Sequence, residues 1–339
     1  MVIRYPAPLR PGDTIGVTAT SSGVADALRP RLDHNVRWLR ERGYAVRVGE
    51  CLRDDTVVSA PKAQRAAELM GMLRDPEVRA VVPPWGGELG IDLLDQLDWE
   101  ELATLDPTWF VGFSDGCSVL LPLTTRLGWA AIHGTNLMDT AFRQPEGLLH
   151  WTDLASSAGP FTQTSPGRVR VGSWDDYEAD PGVEELTLPD AGAWEVVGGG
   201  GVDVVGRLVG GCVEIVSVLA ATPFGDVPAW ARSESAEGTI VMLEVAESDP
   251  FTVGRALHSL RLAGWFDEAE AVLVGRTPAP DDTRMTQREA VLDALGGLDV
   301  PLVLGVDIGH TQPSMPLVTG AVTHVVVGGG SARVTQELV

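Results

Sequence analysis

Residues 109–123, WFVGFSDGCSVLLPL, decide how this chain is read: an apolar strand, a glycine-flanked turn, then an apolar helix. Within it, Gly112-Phe113-Ser114-Asp115-Gly116 is a G-x-S-x-G sequence. Such a turn lifts a serine beyond the end of a strand and aims backbone N–H groups at the space beside it, while the helix N-terminus behind favours developing negative charge. Ser114 is therefore a candidate nucleophile. A serine that only caps a helix on a glycine-rich turn would read the same way.

Toward the N-terminus, short β-branched runs at 14–17, 45–48 and 78–82 alternate with helical spacing at Leu32, Val36 and Leu39 and at Leu69, Met70 and Leu73. A further helix is predicted over 89–97. This β-α-β-α order predicts an α/β fold with a doubly wound, flavodoxin-like parallel sheet whose functional loops lie beyond the strand C-terminal ends. Toward the C-terminus, strands are predicted at 202–208, 239–243, 271–274, 322–327 and 332–335, with helices near 213–219, 251–262 and 284–295. They predict a smaller mixed α/β domain with its own sheet and more antiparallel character. Between the two, SSAGPFTQTSPG, WDDYEADPGVEE and the run Gly198 to Gly201 break the rhythm. The expected organisation is an N-terminal domain over 1–160 carrying the nucleophile, a crossover linker over 161–201 and a C-terminal domain over 202–339.

With 339 residues, 44% hydrophobic and 21% charged, the chain is long enough for two cores and too apolar for disorder. Lys and Arg number 25 against 47 Asp and Glu, a net charge of −22 that repels phosphate backbones and anionic membranes alike, so neither nucleic acid nor membrane is an expected partner. Cys51, Cys117 and Cys212 are too few and too far apart for a disulfide framework or a C-x-x-C metal pair, which fits a reducing cytoplasm. The first residues, MVIRYPAPLRPGDTIGV, carry neither a signal-peptide pattern nor a membrane span. No H-E-x-x-H and no cysteine–histidine cluster is present, so a zinc hydrolase has no support.

A serine needs a base, and six histidines are available. His34, His258 and His324 fall inside predicted helices or a strand, and His150 in a predicted surface helix. His133, in AAIHGTN, follows a short strand and could line the same crevice, while His310, in VLGVDIGHTQPSMPL, sits in a glycine-flanked loop at a strand end. Glu244 ends the apolar run TIVMLE, where a charge is costly unless paired; its partner could be a histidine or Arg255. The turn Pro83-Pro84-Trp85-Gly86-Gly87 follows another strand and lets a ligand approach the backbone closely.

Six segments then occur in order: Leu9-Arg10-Pro11-Gly12-Asp13-Thr14-Ile15, Gly86-Gly87, Trp109 to Asp115, Gly206-Arg207-Leu208-Val209-Gly210-Gly211, Leu243-Glu244 and Gly309-His310-Thr311-Gln312-Pro313. Together the chain resembles the serine peptidases that comprise the muropeptide LD-carboxypeptidases and the microcin C self-immunity proteins. The resemblance implies a Ser114, Glu244, His310 triad, an oxyanion hole from the N–H groups of Asp115 and Gly87, no cofactor, and a homodimer. Trp85 stands where muropeptide enzymes tend to carry Arg, and Cys212 where Asn is common. The G-H-T-x-P form is similar to the immunity branch, which implies a small peptide or aminoacyl-nucleotide substrate held by Trp85, Gly86 and an aromatic from the linker, Trp174 or Trp194. A muropeptide LD-carboxypeptidase is the alternative; an α/β-hydrolase esterase lacks its HGGG-type motif here, and a non-catalytic small-molecule binder leaves the Ser, Glu and His at strand ends unexplained.

Overall fold

The computed structural model describes residues 2–52, 57–172, 174–234 and 237–338. The first half alternates strands β1 (Thr14–Val17), β2 (Ala45–Val48), β3 (Val78–Val82), β4 (Trp109–Gly112) and β5 (Ala131–His133) with helices α1 (Arg29–Glu41), α2 (Lys62–Arg74), α3 (Trp99–Thr104), α4 (Cys117–Leu127) and α5 (Trp151–Ser156). The strands from β1 to β5 pair in parallel in the order β5-β4-β3-β1-β2, so the chain order reverses beside β1, where an open α/β sheet leaves a crevice. Residues of β1, β3 and β4 are almost all buried, as expected of strands covered on both faces.

Beyond α5 come β6 (Phe161–Thr164), β7 (Arg168–Val169), β8 (Asp190–Ala191), β9 (Glu195–Val196) and the long β10 (Val202–Cys212). Then follow α6 (Val213–Leu219), α7 (Val227–Glu234), β11 (Thr239–Glu244), α8 (Pro250–Leu262), β12 (Ala269–Gly275), α9 (Gln287–Leu295), β13 (Leu302–Val306), β14 (Leu317–Thr319), β15 (Val322–Gly328) and β16 (Ser331–Glu337). The second sheet has eight strands in the order β6-β16-β15-β10-β11-β12-β13-β9: parallel through β10 to β13, antiparallel at both margins. This is the mixed second sheet expected from the sequence. Two of its helices are capped by their own sequence: Asp249 accepts from the N–H groups of Phe251 and Thr252 ahead of α8, and Thr286 with Glu289 forms a capping box on α9.

One strand crosses between the halves: β14, from the C-terminal part, pairs antiparallel with β5 at the edge of the first sheet. The loop ahead of β14 is thereby brought to the strand ends of the first sheet. The helix predicted over 89–97 is replaced by a single turn at Gly90–Leu93 and a separate α3, because Asp98 caps a new helix by accepting from the Glu101 N–H. Glycine at the start and an internal cap outweigh the apolar spacing there. Among the described residues, no helix is long and apolar enough to cross a membrane.

Candidate active site

Ser114 sits one residue past Phe113 at the end of β4, and its φ of +58° makes it the non-glycine residue held in the left-handed region among the described residues. That conformation costs an L-residue about 1–2 kcal/mol, so the surrounding turn must impose it. The turn is pinned from the side by Asp115, whose carboxylate accepts from the N–H of Gly90 at 2.6 Å and from the Ser118 hydroxyl at 3.0 Å. Opposite lies Gly86: a Cβ there would stand 2.7 Å from Ser114 Cβ, 2.8 Å from its Oγ and 3.1 Å from the Asp115 nitrogen. Only glycine lets the β3 turn come this close to the serine. The Gly86 carbonyl accepts from Ser22 N–H, and the Ser21 hydroxyl accepts from the N–H groups of Glu88 and Leu89, so the serine loop after β1 braces the glycine turn.

Glu244 is the last residue of β11 and is wholly buried. Its Oε2 lies 2.6 Å from Nδ1 of His310, in the loop after β13. Gly309 makes room for this pair, for a Cβ there would fall 2.5 Å from Glu244 Oε2. The imidazole in turn leans on Phe113, ring centroids 4.8 Å apart, which sets it against the elbow that carries Ser114. Burial penalises the charge of Glu244, but His310 and His133 outweigh it and hold the carboxyl down at about 2. Burial also works against an imidazolium at His310, yet the charge and hydrogen bond of Glu244 prevail and raise its titration above the usual value.

The remaining histidines are placed elsewhere. His133 is fully buried with Nε2 3.7 Å from Glu244 Oε1, behind the carboxylate and not on the cleft. His150, expected in a surface helix, is instead the buried N-cap of α5, bonded to Thr152 and to the Thr140 carbonyl, and burial pushes it down to about 4. His258 and His324 pair with Asp293 and Asp203 at the surface. Arg255 does not reach Glu244; it bonds Thr252 on its own helix.

Ser114 and His310 line one cleft of about 490 Å³, together with Trp85, Gly86, Gly87, Phe113, Asn136, Asp139 and the segment Trp174–Glu178. Trp85 stacks on Tyr177 with ring centroids 6.2 Å apart, and Trp174 is 44% exposed. Trp194 is not in this cleft. It is packed into the second core and donates from Nε1 to Asp307, because β9 joins the margin of the second sheet and turns the ring inward, which corrects its expected substrate contact. Sequence reasoning missed Tyr177 and Asp139, which bond each other beneath the aromatic wall. A single-chain pattern could have flagged only the D-D-Y cluster at 175–177. The described residues lining the cleft include four carboxylates, Asp139, Asp175, Asp176 and Glu178, and no Lys or Arg. Arg170 nearby is committed to Asp175, and Arg31 lies behind the Tyr177 ring.

Sequence spacing offers no metal-ligand set, but the fold gathers one: Cys212, Glu244 and His310 each present a donor atom within 4.8 Å of the others. Chemically, the cleft combines a strained hydroxyl, a carboxylate-held imidazole and backbone N–H groups at an elbow, the parts of a nucleophilic hydrolase.

Comparison with known proteins supplies the family. The model of the LD-carboxypeptidase N-terminal domain matches residues 15–134, and that of the LD-carboxypeptidase C-terminal domain matches residues 205–325. A putative carboxypeptidase of Vibrio cholerae is 26% identical over 92% of this chain and 91% of its own. The probable murein peptide carboxypeptidase of Bacillus subtilis is 25% identical over 93% and 89%. The microcin C7 self-immunity protein of Escherichia coli is 23% identical over 98% and 95%. A solved structure of a protein of that name in complex with aspartyl sulfamoyl adenosine superposes with a TM-score of 0.77 at 21% identity, covering 98% of both chains.

Proposed function

We propose, for a chain that belongs to the LD-carboxypeptidase family of serine peptidases and is therefore a hydrolase, that catalysis runs through Ser114, His310 and Glu244. The observation that carries this reading is the buried Glu244–His310 pair facing the strained Ser114 across one cleft. His310 takes the Ser114 proton as the Oγ attacks the scissile carbonyl carbon, and Glu244 holds the imidazole by Nδ1 and steadies its charge. The Asp115 N–H and the Gly86-Gly87 turn, with Gly87 as second donor, face the oxyanion. His310 then protonates the leaving nitrogen, and water, deprotonated by the same imidazole, releases the acyl group from Ser114.

For substrate, the aromatic wall of Trp85, Tyr177 and Trp174 favours a flat heteroaromatic group, and the lack of a Lys or Arg on the described lining tells against a terminal carboxylate, which a guanidinium fork would hold. This supports an aminoacyl-nucleotide or peptide-nucleotide substrate, and with it detoxification of antibiotics of that kind, over muropeptide cleavage. The test is a panel of aminoacyl-sulfamoyl adenosines and a muropeptide tetrapeptide followed by mass spectrometry. The adenosines are expected to show the higher kcat/KM, by about tenfold or more, the range that stacking one base gives. A better tetrapeptide would assign the chain to cell-wall turnover. Trp174→Ala is expected to weaken the nucleotide activity selectively, whereas Trp194→Ala is expected to cost about 3–5 kcal/mol of stability with KM unchanged in the folded fraction. Three buried free thiols support a reducing, cytoplasmic setting, and the homodimer that the family resemblance implies is checked by sedimentation.

A further inference from the structure

We infer that Cys212, Glu244 and His310 form a binding site for a thiophilic divalent cation such as Zn²⁺, and that occupancy captures the Glu244–His310 pair and switches the hydrolase off. Cys212 and Glu244 are the last residues of β10 and β11 and are register partners in the parallel ladder, so their side chains leave the same face of the sheet side by side. His310 reaches them from the loop after β13, and donor atoms of all three lie within 4.8 Å of one another. Tetrahedral zinc with bonds of about 2.0–2.3 Å sets its donors roughly 3.5 Å apart, so the three need shifts on the order of 1 Å to close on an ion.

A second observation points the same way. Glu244 Oε1 is buried and makes no hydrogen bond, with His133 Nε2 3.7 Å away, while Oε2 is taken by His310. A buried carboxylate oxygen left unsatisfied costs stability, and a cation would repay it. The donor set of thiolate, imidazole and carboxylate suits zinc and not magnesium or calcium, which prefer oxygen alone. Three protein ligands leave a fourth position for water. Binding must expel the Cys212 thiol proton, now donated to Glu214 Oε2 at 3.2 Å, to solvent, and must stretch the Glu244–His310 contact. The ion thus competes with the proton that His310 and Glu244 share. The inhibitory half of this inference rests on the proposed triad; the binding half does not.

The test titrates the whole metal-free protein with Co²⁺, whose thiolate complexes absorb by charge transfer, and then displaces it with Zn²⁺. One equivalent is expected to give the thiolate band in wild type, Cys51→Ser and Cys117→Ser, and none in Cys212→Ala. Zinc, but not Mg²⁺, is expected to cut hydrolysis at least tenfold, with full recovery in a chelator, while Cys212→Ala keeps its turnover and tolerates at least about tenfold more zinc. If Cys212→Ala does not fold, Cys212→Ser serves the same arm, since it too removes the sulfur. No thiolate band, or a band that survives loss of Cys212, overturns the site. Zinc bound through Cys212 with hydrolysis untouched would leave the site standing and overturn the switch alone, since the triad reading fails separately, if Ser114→Ala keeps its turnover.

Discussion

Ser114→Ala is expected to lower kcat/KM roughly 10⁴- to 10⁶-fold, and adding Glu244→Ala and His310→Ala to it should lower the rate little further, because residues that act as one unit do not lose activity additively. Turnover near wild type in Ser114→Ala would end the proposed mechanism. Ser114→Gly adds an independent reading. It removes the same hydroxyl but relieves the φ of +58°, against a cost of about 0.4–1 kcal/mol for the freer unfolded chain. Ser114→Gly is therefore expected to melt above Ser114→Ala by on the order of 1–2 °C, while both are equally inactive. Calorimetry on the two variants checks whether the elbow stores strain at the nucleophile.

Glu244→Gln is expected to lower kcat about 10³- to 10⁴-fold and to move the pH profile. In the wild type, His310 must be neutral to accept the serine proton, and its titration is raised above the ordinary value of 6.5. The rate should therefore rise with pH and level off only above that value. Without the carboxylate, burial lowers the titration of the imidazole against only the weaker pull of Glu214 and Glu247, so in Glu244→Gln the rising limb moves to lower pH while the plateau falls. A limb that stays in place would show that Glu244 does not govern His310. The same shifts enter stability with opposite signs. His310, raised in the fold, stabilises below about 6.5 and loses that contribution as pH rises through its folded value. Glu244, held at about 2, stabilises above its usual 4.5 and loses that contribution as pH falls toward 2. The pair is thus strongest in the acid-to-neutral window, below the pH at which catalysis is fastest.

The elbow at Ser114 was legible in the sequence by itself, because strand, turn and helix there are contiguous and each is set by local apolar spacing and flanking glycine. The parallel character of the first sheet and the strand-end position of Glu244 were legible for the same reason: period, turn residues and the cost of a charge on an apolar strand are local facts. Sequence left the partner of Glu244 open between a histidine and Arg255, and gave Trp174 and Trp194 equal standing. Only the tertiary structure decided these. Register between β10 and β11 sets Cys212 beside Glu244, the loop after β13 carries His310 to both, and β9 at the sheet margin buries Trp194 while Trp174 faces the cleft. Each depends on which strands become neighbours, a choice made by burial of the whole core and invisible to the spacing of residues along the chain.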